Sequence, residues 1–355
     1  MDAVDVDWTD LQTRGFVVLR SFLPPETVAE MRDVYERARR NETLYFSMVA
    51  KPGDVQGVRE RLSALLPGIN AGTDIKTDLI HEDGFFFPTE YTNLSWHTDH
   101  KSFYALQDHY HYLNFWMPIT KPRPDKSGLG LVPMDKLKDA APKAFGAVVR
   151  RGAAAAQDGT LHYEDDGKVR TVQLQPGLLD EIGVAPDVVP GDLIVARTDV
   201  LHRTQDAETI RVALTMRGVW SQQLVSRRVL LRGSPAKHQR MLAEPVFFRS
   251  LLASFWIMGK EQITLAESSA CQERIKRREL RATLVTWAVR LLFPLVLFPH
   301  RLRGMKDALG SSYARALVQL LKLDRAYRKA AREMRQKGAP GAGAATAPAT
   351  GNVRS

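Results

Sequence analysis

The chain has 355 residues, 44% hydrophobic and 25% charged, which is the composition of a folded globular protein long enough for one large domain and an appendage. Its single cysteine, Cys271, excludes an internal disulfide and a cysteine-built zinc site, and fits a reducing compartment such as the cytoplasm. The net charge of +10 is uneven: residues 1–220 hold 25 Lys and Arg against 32 Asp and Glu, whereas residues 221–336 hold 23 against 8, so an acidic body precedes a basic part suited to an anionic partner.

The acidic first ten residues lack the basic and apolar regions of a secretory signal. Residues 14–22 are β-branched and predict a short strand. Pro24-Pro25-Glu26 opens a helix whose apolar face is Val28, Met31, Tyr35 and Ala38, with Arg37, Arg39 and Arg40 at the end where the dipole favours cations. From 75 to 220, short apolar runs alternate with Gly, Pro and Asp. Tyr110–Ile119 is one strand. Residues 161–164 and 168–174 flank the hairpin signal Asp165-Asp166-Gly167. Pro190-Gly191-Asp192 is a turn before the strand Leu193–Arg197, and Ile210–Trp220 is a further strand. The small-residue stretch Ala153–Ala156 reads as a surface insertion. This spacing predicts a sandwich or jelly roll.

After 220 the pattern turns helical. Pro245–Met258 is apolar, Glu267–Arg281 charged, Thr283–Phe298 apolar but broken by Arg290 and Pro294, and Ser311–Arg335 basic and amphipathic. The expected organisation is a jelly-roll domain over 1–220, a basic helical extension over 221–336 and a disordered Gly/Ala/Pro tail over 337–355.

In Ser95-Trp96-His97-Thr98-Asp99, His97 and Asp99 stand at i and i+2, so on a strand they share a face. His202, just beyond the strand Leu193–Arg197, is the third candidate ligand. Two histidines and one carboxylate on one face of an octahedral ion leave three positions open, the arrangement that favours Fe(II) and O2 chemistry. A 2-oxo acid would fill two of them, and its far carboxylate would call for an arginine. Arg211 is preferred. Arg217 competes, because 211, 213, 215 and 217 alternate onto one strand face. Asn114, Thr204 and Ser102 are further candidates for co-substrate contact. His100, His109 and His111 read as polar pocket or surface residues, and His81 has no partner at suitable spacing. Tyr104, Tyr110, Tyr112 and Trp116 suit a pocket wall or the core equally, and Cys271 reads as structural.

At these residues the chain resembles the phytanoyl-CoA dioxygenase family of Fe(II)/2-oxoglutarate oxygenases. The resemblance runs over about residues 10–220, through the opening strand and helix, Trp96-His97-Thr98-Asp99, Asn114–Ile119 with Ser127–Pro133, and Gly191–Val195 followed by His202 and Arg211. It implies a double-stranded β-helix, cupin-like, with N-terminal helices and a C-terminal helical extension. It also implies an iron centre on His97, Asp99 and His202, 2-oxoglutarate on Arg211, and hydroxylation of a small substrate with release of succinate and CO2. Desaturation, cyclisation and epimerisation are alternative outcomes at the same iron. After Pro133 the family's usual Gly-Ser-His is replaced by Met134-Asp135-Lys136, which leaves the substrate class open. Asp99 speaks against the halogenating relatives, which lack that carboxylate.

The basic part has no counterpart in the resemblance. Thr283–Phe298 is short for a span, so a helix lying in a membrane interface is one expectation, with 241–336 as the contact region, a lipophilic substrate and a peripheral place at the inner face of a membrane. Packing on the jelly roll or a homodimer interface are the others. No nucleic-acid motif is present. A non-catalytic, membrane-recruited jelly-roll binding protein is the competing class.

Overall fold

The structure is a computed structural model and describes residues 6–41, 48–81, 84–89, 94–99, 110–149, 153–165, 168–232, 237–238, 241 and 245–308. The described residues belong to one compact unit, and the stretch from Leu309 onward lies outside them. The expected helix Ser311–Arg335, the expected tail, and the candidates His100, Ser102, Tyr104 and His109 therefore lie outside them.

The large sheet is antiparallel, in the order β1 (Phe16–Leu19), β10 (Leu193–Arg197), β5 (Leu113–Thr120), β12 (Val212–Val219), β4 (Gly84–Pro88), β2 (Met48–Ala50), with β3 (Leu79–Ile80) also on β12. Its strands alternate between two layers, as a period of two dictates, with one register irregularity at Val212/Ala213. Leu113, Phe115, Met117 and Ile119 of β5 and Val212, Leu214 and Met216 of β12 enter an outer core with the helices α1 (Thr9–Thr13), α2 (Pro25–Asn41), α3 (Gln56–Ser63) and α4 (Leu66–Gly72). Helix α2 buries Val28, Met31, Val34 and Tyr35 there, and Arg32 Nε donates to Ile119 O at 2.9 Å. The opposite faces, including Trp116, Ile194, Ala196 and Ala213, point into a second core.

A smaller sheet closes that second core. Strand β6 (Leu129–Leu131) pairs with β11 (His202–Thr204), and β7 (Ala154–Gln157), β8 (Thr160–Asp165) and β9 (Lys168–Gln173) form a meander. The segment around His97 bridges both, to His202 on one side and to Ala155 on the other. Two antiparallel sheets facing one another across a core make a double-stranded β-helix. Short helices α5 (Met134–Ala140), α6 (Pro142–Val148) and α7 (Leu178–Ile182) flank it and were not apparent from the strand-like punctuation.

Ala153–Ala156 is not a surface insertion. Ala153 and Ala154 are buried, and Ala154 N donates to Thr98 Oγ1 at 2.9 Å while Thr98 N donates to Ala154 O at 2.9 Å. The small side chains, which suggested a loop, let this strand lie directly against the His97 segment.

Beyond β12 the chain is not wholly helical, since β13 (Leu224–Ser226) pairs with β14 (Gln262–Thr264). Around that ribbon lie α8 (Arg227–Leu231), α9 (Pro245–Met258), α10 (Leu265–Lys276) and α11 (Leu280–Ala308). Thr264 and Glu267 form a reciprocal cap at the start of α10. Helix α11 runs on through Pro294 and Pro299, where a break was expected. Its buried side, with α9, makes a third core that also takes in Val219, Ala153 and the partly buried Tyr112. Cys271 is buried in it, which agrees with a structural role.

The turn before β11 is fixed by a buried ion pair. Arg197 Nε and Nη2 donate to the two Asp199 oxygens at 3.0 and 2.7 Å, Arg197 Nη1 donates to Gln12 O at 3.2 Å, and the guanidinium lies 4.6 Å over the Tyr110 ring. Asp199→Ala leaves that cation buried and is expected to cost about 3–5 kcal/mol. Urea unfolding should show a lowered midpoint at an unchanged slope, and a midpoint equal to wild type would contradict this role.

Candidate metal centre

His97 and His202 are direct cross-strand neighbours. His97 N donates to His202 O at 2.9 Å and His202 N to His97 O at 2.8 Å, so both side chains project to the same side and their rings sit 4.4 Å apart, tilted by 52°. Each imidazole Nδ1 meets the carbonyl two residues earlier on its own strand, Ser95 O at 2.6 Å for His97 and Val200 O at 3.0 Å for His202. A carbonyl only accepts, so each Nδ1 carries the proton and each Nε2 presents a lone pair.

Asp99 supplies the third donor. Its backbone N reaches Thr198 O at 3.4 Å, and its Oδ1 lies 3.7 Å from His202 Nε2. One ligand atom from each of His97, Asp99 and His202 lies within 4.8 Å of the others, the only such cluster among the described residues. Two imidazole nitrogens and one carboxylate oxygen suit a divalent first-row metal and leave part of its coordination sphere to other ligands. The sequence-predicted ligands therefore converge.

The other carboxylate oxygen, Oδ2, is held by Arg217 Nη2 at 3.2 Å, and Arg217 Nη1 donates to Asn114 Oδ1. Arg217 and Asn114 are thus engaged at the candidate ligand Asp99. The phenol of Tyr112 stands beside them; burial pushes it up to about 12, with the Asp99 charge adding to that effect and Arg217 opposing it, so it stays neutral. Thr204 Oγ1 accepts from Leu94 N at 3.3 Å, and Thr204 N donates to Leu94 O at 3.0 Å. It ties β11 to the chain entering the His97 segment.

Arg211 is buried in a different setting. Its Nε donates to Ser127 O at 3.0 Å and its Nη1 to Phe87 O at 2.9 Å, and its guanidinium lies 5.4 Å over the Trp116 ring. No carboxylate pairs with it among the described residues. Burial pushes its pKa down to about 10, so it remains charged at neutral pH. Lys121 is buried close by: Arg211 holds Ser127 O, and Lys121 Cε lies 3.9 Å from where a side chain on Gly128 would begin. The Lys121 ammonium donates to Arg123 O at 2.8 Å and to Pro124 O, and burial lowers its pKa, opposed in part by Asp187 and reinforced by Arg211. Two buried cations thus lie near one another with no ion pair to either among the described residues, and the charges of Asp187 and Asp206 offset them only in part.

Sequence reasoning did not find Thr215. It lies between Arg211 and Arg217 on the inward face of β12, opposite Trp116, and its buried Oγ1 has no hydrogen-bond partner among the described residues. A polar residue in an inward position of a strand was the available signal.

No protein-family model matches the chain, and no curated protein matches it. Several solved structures are similar at low identity. EctD from S. alaskensis, solved with 2-oxoglutarate and 5-hydroxyectoine, has a TM-score of 0.42 and 12% identity over 61% of this chain and 76% of that one. The non-haem alpha-ketoglutarate-dependent epimerase SnoN from nogalamycin biosynthesis gives 0.38 and 11%, over 62% and 83%. HygX from Streptomyces hygroscopicus, solved with nickel and 2-oxoglutarate, gives 0.35 and 14%, over 60% and 86%. Values this low describe a distant likeness of fold, and the chemistry of this chain follows from its own side chains.

Calorimetric titration of the metal-free protein with Ni(II) or Co(II) should show one equivalent bound. His97→Ala and Asp99→Ala should abolish that binding. Arg217→Met, which frees Asp99 Oδ2, should weaken it by about 10- to 100-fold. Full-strength binding by His97→Ala would refute the ligand assignment.

Proposed function

We propose that this chain is an Fe(II)/2-oxoglutarate-dependent oxygenase of the phytanoyl-CoA dioxygenase type that hydroxylates a small apolar substrate. The observation that carries the reading is the pairing of a two-histidine, one-carboxylate centre with a buried arginine that lacks an acidic partner. A metal site alone fits many roles. A buried guanidinium with no ion-pair partner among the described residues, offset only by the charge of Asp206, invites an anion, and a 2-oxo diacid has one carboxylate for the metal and another for the arginine.

The roles divide accordingly. His97, Asp99 and His202 hold the ion. Arg217, backed by Asn114, holds Asp99 Oδ2 away so that Oδ1 faces the imidazoles. Arg211, with Lys121 beside it, takes the distal carboxylate, and the Trp116 ring keeps the guanidinium plane in place. The Thr215 hydroxyl donates to the same molecule, which gives its unpaired oxygen a purpose. Thr204 keeps the frame around His202. When bound, iron and 2-oxoglutarate together supply the oxidising power that removes a substrate hydrogen. The buried Trp116 and the partly buried Tyr112 make the surroundings of the site largely apolar, which favours an apolar substrate.

Addition of Fe(II) and 2-oxoglutarate without oxygen should produce the weak visible charge-transfer band of a chelated 2-oxo acid. His97→Ala should remove it. Arg211→Met should keep metal binding but weaken 2-oxoglutarate by about 100-fold, since two charge-assisted hydrogen bonds are worth about 3 kcal/mol or more. Thr215→Val should leave the melting temperature near wild type, because no bond is lost in the free protein, yet raise the Kd for 2-oxoglutarate by about 3- to 10-fold. Absence of the band in wild type, with metal bound, would overturn the proposal.

A further inference from the structure

Helix α11 has two apolar faces, one buried and one exposed. Ala282, Val289, Phe293 and Leu297 are buried against the third core. On the other side Leu280, Leu284, Trp287, Leu291, Leu295 and Phe298 are exposed by 56–75%. Their spacing of four, three, four, four and three residues puts them in one stripe. Adjacent Leu292 is also exposed, so seven of the thirteen exposed large hydrophobic residues among the described ones lie on this helix. A contiguous patch of this kind marks a contact surface rather than scattered surface carbon.

Charge identifies what the contact is. Arg277, Arg278 and Arg281 are exposed at the start of the stripe, and the sequence after it carries His300, Arg301, Arg303 and Lys306. No Asp or Glu occurs between 280 and 306, and Glu279 just before is held by Arg274 at 2.7 Å. Both ends of the stripe are therefore cationic. A second copy of the chain would bring cationic ends against cationic ends in either orientation. The chain's own residues 311–335 carry seven Lys and Arg against two Asp and Glu, and would repel in the same way. A surface that is apolar below and anionic above satisfies both ends and the middle at once. None of the described helices is long and apolar enough to cross a membrane.

We propose that α11 lies flat in the interface of an anionic bilayer, with the stripe from Leu280 to Phe298 among the acyl chains and the flanking arginines on lipid phosphates. A groove lined by Ile275, Arg278, Leu280, Thr283, Thr286 and Trp287 at the basic end of the stripe joins a cation to apolar walls, as a headgroup and its first methylenes require. This inference stands independently of the reaction at the metal centre.

The test uses the full chain and extruded vesicles of phosphatidylcholine, with and without phosphatidylglycerol. Wild type should co-sediment with the phosphatidylglycerol vesicles and bind about tenfold more weakly to phosphatidylcholine alone or at high salt. Tryptophan emission should shift to the blue on binding, and Trp287→Phe should remove most of the shift. The double variant Leu284→Glu, Leu291→Glu changes two exposed residues, so its melting temperature and metal titration should match wild type while its vesicle binding falls at least about tenfold. No binding of wild type to either vesicle would overturn the proposal, as would binding that the double variant retains. A wild-type dimer that the double variant splits, without vesicle binding, would assign the stripe to self-association instead.

Discussion

Two reciprocal backbone hydrogen bonds, between His97 and His202, set the geometry on which everything at the centre depends. They place two residues more than a hundred positions apart directly opposite one another, and the pleat then sends both imidazoles to the same side. A slip of one residue in this pairing would turn one ring to the other face and dissolve the centre. The neighbouring contacts resist that slip. Thr98 is locked to Ala154 by hydrogen bonds in both directions, Ala156 N donates to Trp96 O, and Thr204 bonds Leu94. On the far side, the Arg197–Asp199 pair stiffens the turn whose Thr198 and Val200 carbonyls receive Asp99 N and His202 Nδ1.

The large sheet contributes the other half of the site through alternation alone. Strand β12 gives its even positions to the outer core and its odd ones, 211 to 217, to the interior. Burying two guanidiniums in one short column is expensive, and each is accommodated differently. Arg217 is paired with the carboxylate of Asp99, whereas Arg211 has carbonyls, an aromatic face and only the charge of Asp206 nearby. That contrast separates two chemically identical residues six positions apart: one is paired with a candidate metal ligand and the other has no ion-pair partner among the described residues.

Much of this was legible in the sequence because it rested on short-range rules. The i, i+2 spacing of His97 and Asp99 and the alternation of 211 with 217 follow from strand periodicity. The Gly191 turn follows from a backbone that needs a positive φ, 97° here, where a side chain would strike Leu23 O. What was not legible depends on contacts between distant segments. Alanines 153–156 looked like filler, since nothing local says that a strand must pass close to Thr98. Arg211 and Arg217 could not be told apart, because the difference is which one Asp99 reaches. Pro294 promised a helix break, but α11 is supported by packing along its buried side and continues.

The two histidines obtain their tautomer in the same manner, from a carbonyl two positions back along their own strand. One hydrogen bond that orients each ring is therefore local, made within the tripeptide Ser95-Trp96-His97 or Val200-Leu201-His202. That part of the geometry travels with the strand segments themselves, whatever the residues around the rim. A graft of the centre into another antiparallel sheet would start from those two three-residue pieces in register and a carboxylate two steps downstream of the first, with a cation such as Arg217 to orient that carboxylate.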